Sequence, residues 1–204
     1  MRKKNGLVRG VGTNDFDGEI GKNSTVNGKQ IRIWRCPMYQ CWERMLDRCY
    51  SASFHERWPT YVGCSMVDEW HKFSNFRAWM INKNWHGMVA DKDLLFPGNK
   101  VYGPDTCIFI PEALNLFLTD RGRGRGPWPI GVFFDKTKGK FRGMCRNPFT
   151  RKQESLGSFD CPSTAHEAWR SRKHQHACMY AKTQSDDRIA KALFARYLPN
   201  TEHK

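Results

Sequence analysis

The chain has 204 residues, of which 39% are hydrophobic and 13% are aromatic. This length suffices for one domain or two small ones with a buried core, and the aromatic content excludes a chain that is disordered throughout. The formal net charge of +14 is unevenly placed: residues 119–152 hold ten Lys and Arg against two acidic residues, whereas residues 51–118 hold six against seven. Such a concentrated basic block favours a polyanionic partner, and nucleic acid above all.

Two sequence features bear on the cellular setting. No run of about 18 apolar residues occurs, and no apolar stretch follows the charged N-terminus, so we expect a cytoplasmic protein with no membrane contact. Eight cysteines are present, but no two are separated by only two residues. Because structural zinc ligands are typically that close in sequence, we expect buried free thiols and no structural zinc. The alternative is a zinc site made by Cys36, Cys41, Cys49 and Cys64.

The first 80 residues predict an irregular segment and two helices. Residues 1–30 are rich in Gly, Asn and Thr and show no periodicity, so we expect an irregular arm. Pro37 suits a first helical position, and apolar residues follow it at helical spacing: Met38, Trp42, Met45, Leu46 and Cys49. The stretch DEWHKFSNFRAWM, with Asp68 and Glu69 in its first turn, predicts a second helix.

The segment MVADKDLLF places three consecutive charges within an apolar stretch. We expect a strand over residues 88–95, then a loop with Pro-Gly and Gly-Pro turns, a second strand in TCIFIP, and a short helix, EALNLFL, that carries Asn115. In a regular strand Asp91 and Asp93 project to one face and Lys92 to the other. Asp91 and Asp93 then offer carboxylate oxygens for Mg²⁺, with Mn²⁺ as an alternative. The competing interpretation is that the three charges only form ion pairs at a domain seam.

The remaining residues predict a basic linker, a small sheet and two helices. Alternating Arg and Gly in residues 119–129 cannot form a core, whereas IGVFFD, KFRGMCR and ESLGSF read as three short strands. Helices are expected from Pro162 and after Ser185, and His166, His174 and His176 are expected to face solvent. Strand alternation places Lys140, Arg142, Met144 and Arg146 on one face. We expect nucleic acid to contact a set of basic and aromatic residues: Arg121, Arg123, Arg125, Trp128, Lys138, Lys140, Arg142, Arg146, Arg151 and Lys152.

Residues 128–182 resemble the Apetala-type DNA-binding domain of plant ethylene-response factors. The resemblance rests on IGVFFDKTKGKFRGMCR, on LGSFDCPSTAHEAW and on RSRKHQHA. It implies a three-stranded antiparallel sheet packed on one helix, with the basic face of the sheet in the major groove of double-stranded DNA.

Residues 38–118 resemble the HNH nucleases of tailed bacteriophages, especially homing-type enzymes that carry an Apetala-like module behind the nuclease. The matching stretches are WERMLDRCYS, YVGCSMVDEWHKFSNFRAW, ADKD, GNKVYGPDTCIFIP and Asn115, with Val67 where such sequences commonly have Cys. The resemblance implies a ββα-metal fold in which Asp91 and Asn115 hold one Mg²⁺. Lys92 stands in the place of the catalytic His, and since two neighbouring carboxylates favour its charged form, Lys92 is a poor general base. The roles left to Lys92 are to hold a phosphate or to stabilise the charge of the transition state.

Taken together, the expected fold class is α+β, a ββα-metal domain followed by a three-stranded sheet on a helix. The expected parts are an irregular arm over 1–30, an HNH-like domain over 31–118, a linker over 119–129, an Apetala-like domain over 130–183, and a C-terminal helix and tail over 184–204. Three functions remain open: a Mg²⁺-dependent DNA endonuclease in a host cytoplasm; a DNA-binding regulator or counter-defence factor on a degenerate nuclease scaffold; or a module whose basic surface binds an acidic protein. His71 and His86 are other candidates for a base, and both are expected to be structural.

Overall fold

The computed structural model describes residues 6–119 and 126–198. The chain is mixed α+β, which confirms the fold class at that level, and it divides into two compact units between residues 112 and 113. Within the described ranges, no helix has the length and apolarity that crossing a membrane requires. Arg121, Arg123 and Arg125 lie outside the described residues.

The first two strands of the first unit form a hairpin that starts within the segment expected to be an irregular arm. Strands β1 (Gly21–Val26) and β2 (Lys29–Arg35) pair antiparallel around Asn27 and Gly28, whose φ angles are 50° and 74°. Positive φ at both central residues is what a tight two-residue hairpin turn requires, and Asn-Gly is the preferred pair for it. Residues 21–30 are therefore not irregular.

The core of the first unit forms around α1 (Pro37–Tyr50) and α3 (Phe73–Ile81), with α2 (Ala52–Arg57) following α1. The predicted α1 stripe is confirmed, since Trp42, Met45 and Leu46 are fully buried. The second predicted helix is instead broken into a 3₁₀ turn, Asp68–His71, and α3. The break arises because the backbone at this point bonds to Thr13, whose N–H donates to the His71 carbonyl while its carbonyl accepts from Phe73.

Two small strand pairs complete the first unit. β3 (Ser65–Met66) runs parallel to β5 (Val101–Tyr102), and β4 (Met88–Asp91) runs antiparallel to β6 (Ile108–Pro111). Helix α4 (Glu112–Leu118) follows β6 directly, so the predicted order of strand, loop, strand and helix is observed. The strand predicted over residues 88–95 was too long, because β4 ends at Asp91.

The second unit contains an antiparallel sheet with the order β7 (Val132–Asp135), β8 (Lys140–Arg146), β9 (Gln153–Phe159). Helix α5 (Pro162–Ala181) packs on this sheet, and α6 (Asp187–Ala195) packs on α5. The predicted strands and helices are confirmed here, although Asp186 rather than Ser185 caps α6, accepting from the Arg188 N–H.

Most of α4 belongs to the second unit, so the division falls six residues before the expected boundary at 118. The cause is a buried lysine on α5: the Lys173 ammonium donates to the Phe117 carbonyl at 2.6 Å and lies 3.7 Å from the centre of the Phe117 ring. Tyr180 and Tyr197 also contact that ring. A cation near the last carbonyls of a helix also interacts favourably with the negative end of the helix dipole.

Candidate functional site

Asp91 ends β4 and turns the chain. Its Oδ1 accepts the backbone N–H groups of Asp93 at 2.9 Å and Leu94 at 2.7 Å. These local bonds compete with the sheet ladder, which explains why the strand stops here. The expectation that Asp91 and Asp93 share a strand face is therefore wrong, because Asp93 lies beyond the strand. Burial raises the pKa of the Asp91 carboxyl, and the two backbone N–H groups oppose that shift.

Lys92 points into the protein. Its side chain is 7% exposed, and its ammonium donates to Asp93 Oδ1 at 2.6 Å and to the Asn99 carbonyl at 2.5 Å. The Asn99 side chain returns a bond to the Lys92 carbonyl at 3.2 Å, and the ammonium lies 5.7 Å from the centre of the Tyr102 ring. This arrangement ties the end of β4 to the loop before β5. The Lys92 ammonium therefore points at oxygen atoms of the protein.

The carboxylates fit a divalent cation unequally. Only Oδ1 of Asp91 receives hydrogen bonds from the described residues, so Oδ2 is the atom available to a ligand. Asp93 is half-exposed, but its Oδ1 is already paired with the Lys92 ammonium. Because Mg²⁺ is usually held by one or two carboxylates and several waters, Asp91 suits it better than Asp93. Asn115 is half-buried on α4, in the second unit, whereas Asp91, Lys92 and Asp93 belong to the first.

The described residues contain no group of three or more His, Cys, Asp and Glu placed to hold a metal. Five of the eight cysteines are buried free thiols, as predicted, and Cys41 and Cys178 are half-buried. Burial raises the pKa of Cys49 to about 12 and of Cys41 to about 11, so both thiols stay protonated near neutral pH. Cys161 is the exposed exception: hydrogen bonds with Ser163 and Thr164 lower its pKa to about 7.

A cleft of about 250 Å³ lies beside β4, and sequence reasoning missed it. Two arginines one helical turn apart on α1, Arg44 and Arg48, line it together with Trp85, Met88 and Ala90. Asp91 follows Ala90 in β4 but does not line the cleft, and adjacent residues of a strand point to opposite faces. The spacing of the arginines in WERMLDRCY was the available signal, since residues i and i+4 share a helix face.

The histidines of the first unit have structural contacts, as expected. His71 Nε2 lies 3.0 Å from the Tyr50 hydroxyl, which in turn accepts the Met66 N–H. His86 is exposed and stacks on Trp85 with ring centres 3.7 Å apart.

The basic face of the second unit is observed where the sequence predicted it. Along β8 the side chains of Lys140, Arg142 and Arg146 are exposed, whereas Gly143 and Cys145 are buried on the opposite face. Lys140 is paired with Asp160 at 3.0 Å, so Arg142 and Arg146 dominate the charge of this face. We refer to the exposed side of β7, β8 and β9 as the basic sheet face.

The other predicted contacts are dispersed around that sheet. Lys138 lies in the β7–β8 turn, and Arg151 and Lys152 lie in the β8–β9 turn, at the opposite end. All three are exposed. Trp128 packs on Phe141 with ring centres 4.8 Å apart, so it lies on the side of β8 away from Arg142.

One exposed aromatic of the basic sheet face was missed. Phe133 is 59% exposed and is the cross-strand partner of Arg142 in the sheet register. The sequence signal was present in VFFD, where only one of two adjacent Phe residues can face the helix.

The expectation that the histidines of the second unit face solvent is wrong. His176 is 2% exposed, with Nε2 3.4 Å from Glu154 Oε2 and Nδ1 3.9 Å from Cys145 Sγ. Burial lowers the pKa of His176, while Glu154 opposes the shift. His166 and His174 are half-buried and contact the carbonyls of Ile130 and Arg196.

No family model, curated protein or solved structure matches this chain in the comparisons with known proteins.

Proposed function

We propose that this protein binds double-stranded DNA through the basic sheet face and cleaves or nicks it with Mg²⁺. The observation that carries the proposal is the exposure of Arg142 and Arg146 on one face of a strand whose opposite side packs on α5. Phosphate contacts by such residues supply sequence-independent affinity, and arginine also forms paired hydrogen bonds with guanine. The net charge of +14 supports the same partner.

The cleavage part of the proposal rests on the resemblance to phage HNH nucleases and on Asp91. The Asp91 carboxylate keeps Oδ2 for a cation, and Asn115 is the second ligand that the resemblance implies. A bound Mg²⁺ would supply stabilisation of the leaving 3′ oxygen. In this proposal Arg44, which is exposed, holds the DNA backbone beside β4, whereas the Arg48 guanidinium is bound to Tyr102 and packs over the Tyr61 ring. Lys92 positions the Asp91 turn by holding the Asn99 carbonyl.

A plasmid-nicking assay tests the cleavage. Purified protein is incubated with supercoiled DNA carrying the sequence next to its own gene, with Mg²⁺, with Mn²⁺ or with EDTA. We expect nicking with either metal, none with EDTA and none in Asp91→Ala. Nicking by Asp91→Ala at the wild-type rate would contradict the assignment of Asp91.

Charge reversal tests the basic sheet face. In the Arg142→Glu/Arg146→Glu variant we expect affinity for a duplex to fall by about 100-fold or more, because two phosphate contacts become repulsive. The matched control is Lys182→Glu/Lys191→Glu, which makes the same charge change at exposed positions near α6. An equal loss of DNA affinity in both variants would show that net charge alone causes the effect.

A second candidate function is DNA binding without cleavage. The buried Lys92 favours it, because the residue in the place of the catalytic His is directed at Asp93 and Asn99 rather than at solvent. DNA binding without metal-dependent nicking would establish this alternative, in which the protein acts as a regulator or counter-defence factor. The third candidate, an acidic protein partner, predicts that the wild-type chain has no affinity for DNA.

A further inference from the structure

The hairpin of β1 and β2 projects from the first unit as a two-stranded ribbon. Among residues 21–35 only Ser24 and Arg35 are partly buried, and the rest are exposed. At its base the Cys36 N–H donates to the Ile20 carbonyl at 3.0 Å. A lone two-stranded hairpin is marginally stable in water, so a ribbon exposed on both faces is well suited to gain stability from a binding partner.

The charge of the ribbon is entirely positive. Residues 21–35 contain Lys22, Lys29, Arg32 and Arg35 and no acidic residue. Two of these cations are paired near the base, Lys22 with Glu19 at 3.1 Å and Arg35 with Glu43. Lys29 and Arg32 extend the positive charge along β2 towards the tip, which is complementary to a polyanion.

The register sorts the side chains of the ribbon into two chemically distinct faces. Asn23 is opposite Arg32, and Thr25 is opposite Gln30, whose Nε2 donates to Thr25 Oγ1 at 3.1 Å. Asn, Gln and Arg are the side chains that form paired hydrogen bonds with base edges, adenine for the amides and guanine for Arg. All three are exposed. The opposite face carries Val26, its register partner Lys29, and Ile31. Trp34 lies near the base on the same face as Gln30 and Arg32, because alternate residues of β2 share a face.

We propose that this ribbon enters the major groove of double-stranded DNA and reads base edges through Asn23, Gln30 and Arg32, with Lys29 on a phosphate. The major groove is about 12 Å wide and admits a two-stranded ribbon. This inference rests on the proposed function for the identity of the ligand. It adds a DNA-contacting surface in the first unit that is separate from the basic sheet face. Both units then contribute to the selection of the DNA sequence.

Binding measurements on the full chain test the ribbon. The probe is a labelled mixed-sequence duplex of about three helical turns, titrated at several salt concentrations. We expect Lys29→Ala and Arg32→Ala each to weaken binding several-fold and to reduce the slope of log affinity against log salt by about one. The control Lys191→Ala removes the same charge from an exposed site on α6 and should leave more of the affinity.

Base reading is tested with Arg32→Lys, which keeps the charge and replaces an exposed side chain. In selections from a pool of duplexes with randomised sequence, the wild type should prefer guanine at one position by about 10-fold, and Arg32→Lys should lose that preference while retaining affinity for the mixed duplex. Wild-type protein that binds no duplex would overturn both the proposed function and this inference. A wild type that binds, with Arg32→Ala and Arg32→Lys matching it in affinity and base preference, would overturn the ribbon alone. So would an equal loss of affinity in Lys191→Ala and Arg32→Ala.

Discussion

At the scale of single residues, Asp91 combines a structural and a chemical role on its two oxygens. Oδ1 accepts two backbone N–H groups that end β4, and Oδ2 is the atom proposed for Mg²⁺. An isosteric amide keeps the first role and loses the second, because an amide oxygen still accepts hydrogen bonds but carries no charge.

Substitutions at Asp91 should therefore separate stability from activity. We expect the free energy of unfolding of Asp91→Asn to lie within about 1 kcal/mol of the wild-type value. In Asp91→Ala it should fall by about 2 kcal/mol, because two N–H groups lose their acceptor. Both variants should lose metal-dependent nicking. Urea unfolding and the plasmid assay, run on the same preparations, measure the two effects. An Asp91→Asn variant that nicks normally would exclude the carboxylate as a metal ligand.

His176 predicts an acid sensitivity in the second unit. Its folded pKa lies below its unfolded value, so the unfolded chain binds more protons and folding is weakened as pH falls below about 6.5 towards the folded pKa. The contribution is fully present above that window. We expect the free energy of unfolding to decline between about pH 7 and pH 5.5 by more in the wild type than in His176→Gln. Parallel declines in the two proteins would show that other groups cause the loss.

At the scale of elements, periodicity predicted α1, whose apolar residues recur at a spacing that one buried face explains. The three strands of the second unit and α5 were predicted from turn residues and from Pro162 at the start of the helix. The β1–β2 hairpin was missed because both of its faces are exposed and GKNSTV shows no apolar alternation. The Asn27-Gly28 pair was a usable local signal for that turn. The end of β4 follows from side-chain hydrogen bonds of Asp91. The break before α3 follows from hydrogen bonds with Thr13, which is distant in sequence. Neither cause changes the spacing of apolar residues along the chain.

The candidate site was predicted unevenly for the same physical reason. Residue type singled out Asp91, and strand alternation predicted the exposed face of β8. The direction of the Lys92 side chain depends on the loop that brings the Asn99 carbonyl to its ammonium, and the burial of His176 depends on Glu154 across the sheet–helix interface. Both are tertiary effects that residue spacing does not encode.

At the scale of the whole molecule, the position of the division within α4 has consequences for fragments of the chain. A fragment over 113–204 keeps the Phe117 carbonyl and ring that contact Lys173, whereas a fragment over 128–204 removes them. Lys173 is 8% exposed in the whole chain, and in the shorter fragment its ammonium loses this acceptor and the ring that covers it.

We therefore expect the longer fragment to be more stable by about 2 kcal/mol, as measured by urea unfolding, because it keeps a hydrogen bond to a charged group. Lys173→Met provides the matched control, because it removes the ammonium that contacts Phe117. That substitution should destabilise the fragment over 113–204 by more than the fragment over 128–204. If the two unsubstituted fragments have equal stability, α4 is not an integral part of the second unit.

The exposed thiol at the start of α5 makes the native chain suitable for selective chemical labelling. With its pKa lowered to about 7, roughly half of Cys161 is thiolate at neutral pH, whereas Cys41 and Cys49 remain almost entirely protonated within the fold. A maleimide dye applied briefly at that pH should attach to Cys161 first. Because Cys161 lies just beyond Asp160, which pairs with Lys140 at one end of the basic sheet face, the dye would report on DNA arriving there without an introduced cysteine.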